Sequence, residues 1–454
     1  MQMAIEPKSF FSSYLNKKTK AAPLAVFRIL FGFLMFISIV RFVYNDWVRT
    51  LYLEPTFHFS YSGFEFIQVP GVYTYLLFAL CGLSALMISF GFKYRLACFV
   101  FLFSFLYIEL LDKTYYLNHY YFISILAFIL IFLPAHVGYS ADAFYNENLR
   151  KEYIPKWTID IIKLMLAIVY IYAGLAKLNP DWMFRAMPLS IWLPTKFDTP
   201  LLGSLMHEKW MHYLFSWGGA LYDLTIVFFL LWKPTRVLAF IVVVIFHVLT
   251  RILFPIGMFP YIMIISTLIF FSAEFHEKIL FAVSKIFNFS NALFKNGELY
   301  QNRFLRKISL PVLSIFMFVQ IIFPLRSLAY PGSVYWSEQG YRFSWRVMLM
   351  EKTGYANFKI VNGETGKRFY VQNDDFLSPV QQKQMSTQPD FILAYGQYLG
   401  AHFTKQGHEN VEVYVESFAA LNGRKNQPFI DPAADLMKLD YNSLCKSHII
   451  ELNE

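Results

Sequence analysis

An amine stands at the end of an apolar run in VYIYAGLAKLNPDW, and that residue, Lys177, is the side chain best placed to do chemistry. The run from Ile159 to Leu178 is long enough to cross a bilayer, so its amine must snorkel, pair or lose its proton. The last outcome makes a general base. In LLDKTYYLNHYYF, His119 opens a second apolar run beside Asn118, and His247 lies late in a third. Taken singly, a span-end lysine snorkels and a histidine near a membrane face is hydrogen-bonded and inert. Together, Asn118, His119, Lys177 and His247 suggest one water-poor pocket for proton transfer. The AGLAK approach permits close helix packing, which turns Lys177 into a bundle. Asp223 and Arg28, within other runs, read as a structural pairing or capping arrangement.

The elements that position these groups follow from composition. Of 454 residues, 56% are hydrophobic, 20% aromatic and only 16% charged, which excludes an ordinary soluble globular chain. The expected fold is a polytopic α-helical membrane protein with about nine transmembrane helices, each needing roughly 17 to 25 residues. The runs lie near 23–44, 71–91, 95–111, 120–135, 159–178, 211–232, 236–254, 256–273 and 308–326. Tight basic turns, Lys93 with Arg95 and Lys233 with Arg236, join two pairs as antiparallel hairpins.

Most loop Lys and Arg collect on alternate connections shared with the N-terminus, which predicts a cytoplasmic N-terminus. An odd number of spans then leaves the C-terminal part outside. His119 starts an inward span and Lys177 ends an outward one, so both meet at the outer face. The net charge of +9 is attributed to anionic lipid, because no basic run accompanies a nucleic-acid recognition motif.

Two parts are expected: a transmembrane helical part over 1–328, and an extracytoplasmic β-rich or α/β domain over 329–454. In the second, FKIVNGETGKRFYVQ predicts a hairpin, Pro379 to Phe403 a helix, and NVEVYVESF a further strand. Cys81, Cys98 and Cys445 show no CxxC and no ligand spacing, so neither a disulfide framework nor a metal site is expected.

The blocks YRLACFVFLFSFLYIELLDKTYYLNHYYF, IYAGLAKLNPDW, GGALYDL, FHVLTRILFPIGMFPY and GYRFSWRVML occur in order. With AAPLAVFRILFGFLMF and FIDP they closely resemble the vitamin K-dependent γ-glutamyl carboxylase family and its bacterial relatives, from Ala21 to about Asp435. The resemblance implies that Lys177 is the base that deprotonates vitamin K hydroquinone and that His119 assists carboxylation, with Asn118 beside them. It implies a quinol of the menaquinol or phylloquinol type, with O2 and CO2 as co-substrates and a glutamate-containing peptide as partner. His247, Tyr341 and Trp345 are its supporting or substrate-binding candidates. Lys352 follows GYRFSW where the animal pattern is basic and histidine-rich, so it is expected to replace an arginine that contacts substrate.

The chemistry agrees with that implication. A γ-methylene proton is too weakly acidic for any side-chain base, so a dry site must use quinol oxygenation to generate a stronger one. The departures after GYRFSW leave quinol epoxidation better supported than peptide carboxylation. A quinol epoxidase of the same fold without carboxylase activity is the alternative reading. A non-catalytic membrane scaffold or transporter is a third, disfavoured because no repeated halves are visible. The expected location is the bacterial inner membrane, with a periplasmic C-terminal domain.

Overall fold

The computed structural model describes residues 10–286, 295–440 and 446–453. Cys445 lies outside them. Each predicted apolar stretch is helical: α1 (Ala22–Tyr44), α2 (Thr74–Phe90), α3 (Tyr94–Leu110), α4 (Asn118–Phe132), α5 (Trp157–Lys177), α6 (Lys209–Leu231), α7 (Arg236–Leu253), α8 (Phe259–Thr267), then α9 (Ala273–Ile286) and α10 (Leu310–Ile322). Large apolar side chains such as Leu76, Phe103, Trp217, Phe228, Ile245 and Ile315 point outward, while Phe31, Phe78, Phe101, Phe122 and Leu166 are fully buried. Apolar residues on both faces mark a bundle whose exterior solvent is hydrocarbon.

Among the described residues, six helical segments are long and apolar enough to cross a membrane: α1, Gly71–Phe90, α5, α6, α7 and Leu305–Ala329. A seventh arises only if Phe259–Phe270 and Ala273–Ala282, bent by 120° to one another, count as one. Two of the nine expected spans are shorter. The α3 helix has 17 residues and α4 has 15. The α4 helix ends at Leu133, which is extended because Pro134 follows it. The expected basic turn between α2 and α3 is present, with Gly91 at φ 65° and Lys93 at φ 43°.

Arg28 explains how these ends are held. Fully buried in α1, it donates from Nε to Ala135 O at 2.9 Å and from Nη1 to Ile88 O at 2.7 Å. It also donates to the carbonyls of Ser89 and Tyr139. The last carbonyls of a helix lack intrahelical donors, and one guanidinium here satisfies two of them at the end of α2. The capping role expected for Arg28 is correct; the pairing with Asp223 is not.

At the opposite face from the predicted active side, β1 (Lys18–Lys20), β2 (Lys151–Pro155) and β3 (Lys295–Leu299) form a small mixed sheet in that order. No sequence pattern pointed to it, since three short strands from distant connections carry too few residues for periodicity.

The C-terminal part is a four-stranded antiparallel sheet in the order β5-β4-β6-β7: β4 (Lys352–Asn362), β5 (Arg368–Tyr370), β6 (Val411–Leu421) and β7 (Gln427–Pro428). The predicted hairpin is β4–β5, and the predicted strand is β6. The expected helix is two, α11 (Pro379–Met385) and α12 (Pro389–Lys405), broken before Pro389. Ser378 and Gln381 form a capping box at the start of α11. Phe358, Ile360, Val413 and Val415 alternate inward against Phe391, Tyr395 and Leu399 of α12. Phe59, from the loop after α1, is buried in that same core.

Candidate active site

The C-terminus of α5 is built to hold Lys177. Gly174 lets α5 press against α6, since a Cβ there would stand 2.7 Å from Leu224 Cγ and 2.9 Å from its backbone N. That approach brings Lys177 Nζ to 2.6 Å from Asp223 Oδ2, with a weaker contact to Ala173 O at 3.3 Å. Both side chains are at most 8% exposed. Of the three outcomes open to a span-end amine, the structure shows pairing. Asp223, expected to be structural, is the partner.

The rest of the KLNPDW block serves that pair. Asn179 caps the short helix Pro180–Arg185 through Trp182 N at 3.0 Å. Trp182 donates to Ser216 O at 2.7 Å and lays its ring 5.4 Å from Lys177 Nζ. Asp181 binds Arg424 Nη1 at 2.7 Å and Asn422 Nδ2 at 2.8 Å, fastening this corner to the end of β6.

Lys177, Asp223 and His247 line one cavity, walled by Tyr170, Phe246, Phe254, Phe259 and Met263. His247 Nε2 lies 3.3 Å from Tyr170 Oη, and its buried Nδ1 has no hydrogen-bond partner among the described residues. An orphaned ring nitrogen beside an amine–carboxylate pair leaves donor and acceptor capacity in an otherwise apolar space.

His119 and Asn118 do not share that cavity. They line a second, more polar one with Lys113, Glu338, Tyr341, Arg342, Arg346 and Gln388. The single pocket expected from sequence is therefore two adjoining spaces. Ile256, Phe259, Val347 and Met348 line both and form the common wall. The cause is local: the chain after α7 turns at Pro255–Gly257 between Lys177 and His119. Gly257, at φ +60°, backs the His119 ring, whose Cε1 and Nε2 lie 3.7 Å from where a Cβ would be.

The polar cavity is framed by motif residues whose parts sequence reasoning missed. Asp112 accepts from Thr114 N at 2.9 Å, Gln381 Nε2 at 2.9 Å and His58 Nδ1 at 3.2 Å. Lys113 Nζ reaches Asp390 Oδ2 at 3.1 Å, and Arg342 Nη1 reaches the same oxygen at 2.9 Å. Burial alone would raise the Asp390 carboxyl, but Arg342 and Lys113 outweigh it and hold the group well below the ordinary carboxylate range. Burial pushes the Lys113 ammonium down to about 8 despite Asp390. Asn118 accepts from Tyr116 Oη at 3.1 Å and donates to Arg346 O at 3.0 Å, joining the start of α4 to the segment after GYRFSW. The charged residues of LLDKT and GYRFSWR were visible in the sequence, but their partners Asp390, Gln381 and His58 come from distant segments.

Two expected substrate contacts are placed elsewhere. Trp345 is 1% exposed and stacks on Tyr121 at 5.1 Å, with its edge to Phe122, so it touches neither cavity. Lys352 is buried and fully engaged, donating to Glu338 Oε1 at 2.7 Å, Trp336 O at 2.8 Å and Thr387 O at 3.0 Å. It sits at the first position of β4 with its side chain turned inward, where it holds Glu338. Tyr341 remains at the polar cavity.

The HTTM domain family matches residues 16–275, more than half of the chain, and the lumenal domain of vitamin K-dependent gamma-carboxylase matches residues 305–454. No solved structure matches. The membrane helices and the domain that follows them are thus each matched by a part of one family: this chain is a multi-pass membrane protein of the HTTM and vitamin K-dependent gamma-carboxylase family.

Proposed function

We propose that the chain is a vitamin K-dependent γ-glutamyl carboxylase-type enzyme, coupling quinol epoxidation in the apolar cavity to carboxylation of a glutamate side chain in the polar one. The observation that carries this reading is the pair of adjoining cavities, with a buried amine–carboxylate pair on one side of a four-residue wall and His119 on the other. A lipid-soluble aromatic ring and an aqueous peptide need such different surroundings, yet the second reaction must stay within reach of the first.

The aromatic walls, the Lys177–Asp223 pair and the unpartnered His247 nitrogen suit a ring bearing hydroxyl groups. The cavity measures ≈ 100 Å³, and its lining includes Met263 and Met348, unbranched side chains able to repack around such a ring. The reduced quinone supplies the reducing equivalents that oxygen consumes. Lys177 Nζ is the proposed acceptor of a phenolic proton, and Asp223, 2.6 Å away, holds the amine in place for it. Trp182 and Phe254 exclude water. Across the wall, His119 donates a hydrogen bond or proton where negative charge forms during carboxylation.

In this reading the boundary falls near residue 328, and nine helices cross or enter the bilayer, α3 and α4 included. The N-terminus is cytoplasmic, the C-terminal domain periplasmic in a bacterial inner membrane, and the quinol of the menaquinol or phylloquinol type. Purified protein given vitamin K hydroquinone and oxygen is expected to form epoxide, and Lys177→Ala to abolish it. Labelled CO2 and a glutamate peptide are expected to give labelled peptide. Epoxide without label would leave the epoxidase alone; undiminished epoxide in Lys177→Ala would remove the assigned base.

A further inference from the structure

Four cationic side chains line the polar cavity or pair with a residue that does, and three of them touch one of two carboxylates. Lys113 and Arg342 share Asp390, and Lys352 holds Glu338. Arg346 differs. Its Nη2 donates to Ser327 Oγ at 2.9 Å and its Nη1 to Tyr335 Oη at 3.3 Å, both neutral hydroxyls. Its Nε is buried without an acceptor, and among the described residues no carboxylate lies within ion-pair distance. A guanidinium carries five N–H donors in a planar fork suited to a carboxylate. Leaving it unmatched at a cavity is costly unless a ligand supplies the anion.

Its setting is rigid. Asn118 binds the Arg346 carbonyl at 3.0 Å, and Tyr335 Oη, which carries the guanidinium, donates to Ala176 O at 2.8 Å, one residue before Lys177. The Cζ also lies 5.6 Å from the Tyr335 ring centre. Arg346 is thus tethered to both the His119 helix and the Lys177 helix, and it lines the same cavity as His119.

We propose that this cavity contains a carboxylate-binding subsite anchored by Arg346, which docks the side-chain carboxylate of a substrate glutamate next to His119. The proposal rests on the carboxylase reading for the identity of its ligand, but not for the presence of an anion site. It reverses the expectation from sequence, which gave the substrate contact to Lys352. A fork oriented by two neutral hydroxyls keeps its charge and its remaining donors for the ligand.

The test is equilibrium binding of a short fluorescent glutamate peptide to the purified full chain in lipid–detergent micelles without quinol, beside its glutamine counterpart. Arg346→Gln is expected to weaken the glutamate peptide about ten- to a hundredfold, the loss of a charged hydrogen-bonding partner. The glutamine peptide should change little. Arg346→Lys keeps the charge but not the fork and should fall between; thermal unfolding of both variants checks that they are folded. Equal affinity of wild type and Arg346→Gln for the glutamate peptide overturns the subsite, as does an equal loss for both peptides. Displacement of the peptide by millimolar bicarbonate as readily as by free glutamate would also overturn it, assigning the anion to bicarbonate instead. Because no quinol is present, failure here leaves Lys177-dependent epoxidation intact, and absence of labelled carboxylation leaves the binding result standing.

Discussion

The Lys177–Asp223 pair invites a stability cycle and an activity cycle on the same two residues. Their charged atoms are 2.6 Å apart, both side chains are at most 8% exposed, and Lys177 has only the 3.3 Å contact to Ala173 O besides. Asp223→Asn therefore strands an ammonium in an apolar space, which costs about 3–5 kcal/mol for a buried pair broken on one side. Lys177→Met strands the carboxylate at similar cost. Replacing both, as Lys177→Met with Asp223→Leu, removes both charges and fills the volume. Such exchanges run from neutral to about 1–4 kcal/mol stabilising. With Asp223→Leu as the single variant that closes the cycle, the expected coupling in unfolding free energy is about 6 kcal/mol or more. Epoxide formation should behave oppositely: each single variant and the double variant lose about 10²–10⁴-fold, the usual contribution of a general base. Denaturant unfolding in mixed micelles and epoxide assays on the same preparations measure both. If Asp223→Asn is as stable as wild type and as active, the pair neither holds the bundle nor serves the proton, and the reasoning fails. A double variant as destabilised as either single one would also refute the electrostatic account, because shape rather than charge would then be responsible.

Gly174→Ala places a Cβ against Leu224 and should cost about 1–3 kcal/mol while parting Lys177 from Asp223; Gly218→Ala, with nothing within 4 Å, is the control, and thermal unfolding with epoxide assay reads both. Asp390→Asn leaves Arg342 and Lys113 without their shared carboxylate and should destabilise by about 3 kcal/mol at neutral pH. The wild-type Asp390 contribution is present above the unfolded carboxyl value of about 3.9 and lost as pH falls below it, so the variant should have the flatter acid limb in unfolding scans. Lys113 acts with the same sign at the alkaline end: with its folded value at about 8, the native state sheds that proton before the unfolded chain does, so stability should rise from pH 8 towards about 10.4 and lose this slope in Lys113→Met. Lys352→Met should destabilise by about 3–5 kcal/mol through the stranded Glu338, without separating glutamate from glutamine peptides in a binding assay.

The parts legible in the sequence were those carried by long patterns or by one strong conflict. Apolar runs marked each helix of the bundle, and the Asn-Gly-Glu-Thr-Gly turn marked the β4–β5 hairpin. Lys177 stood out because an amine at a span end has few places to go. Its partner did not stand out, because Asp223 is 46 residues away and equally compatible with Arg28 until the helix packing is known. Gly174 is the missing clue in hindsight: a small residue one turn before the lysine sets which helix lies closest, and α6 carries the aspartate on that face.

The same limit explains why Lys352 looked functional and Arg346 did not. Four basic residues lie near the polar cavity, and sequence cannot say which have already been neutralised. That depends on Asp390 and Glu338, each delivered by a turn or helix start from elsewhere in the C-terminal domain. A cation at an active site is informative by its unmet valence rather than by its presence. Of the four, one guanidinium touches no carboxylate among the described residues; two hydroxyls hold it, one of them Tyr335 Oη, which is bonded to Ala176 O, while the Asn118 side chain holds the Arg346 carbonyl. The wall between the cavities follows from the same geometry, because the Pro255–Gly257 turn that backs His119 also carries Ile256 and Phe259 between it and Lys177. On the proposed reading, that wall keeps proton chemistry at the amine apart from anion recognition at the guanidinium by the four side chains the two cavities share.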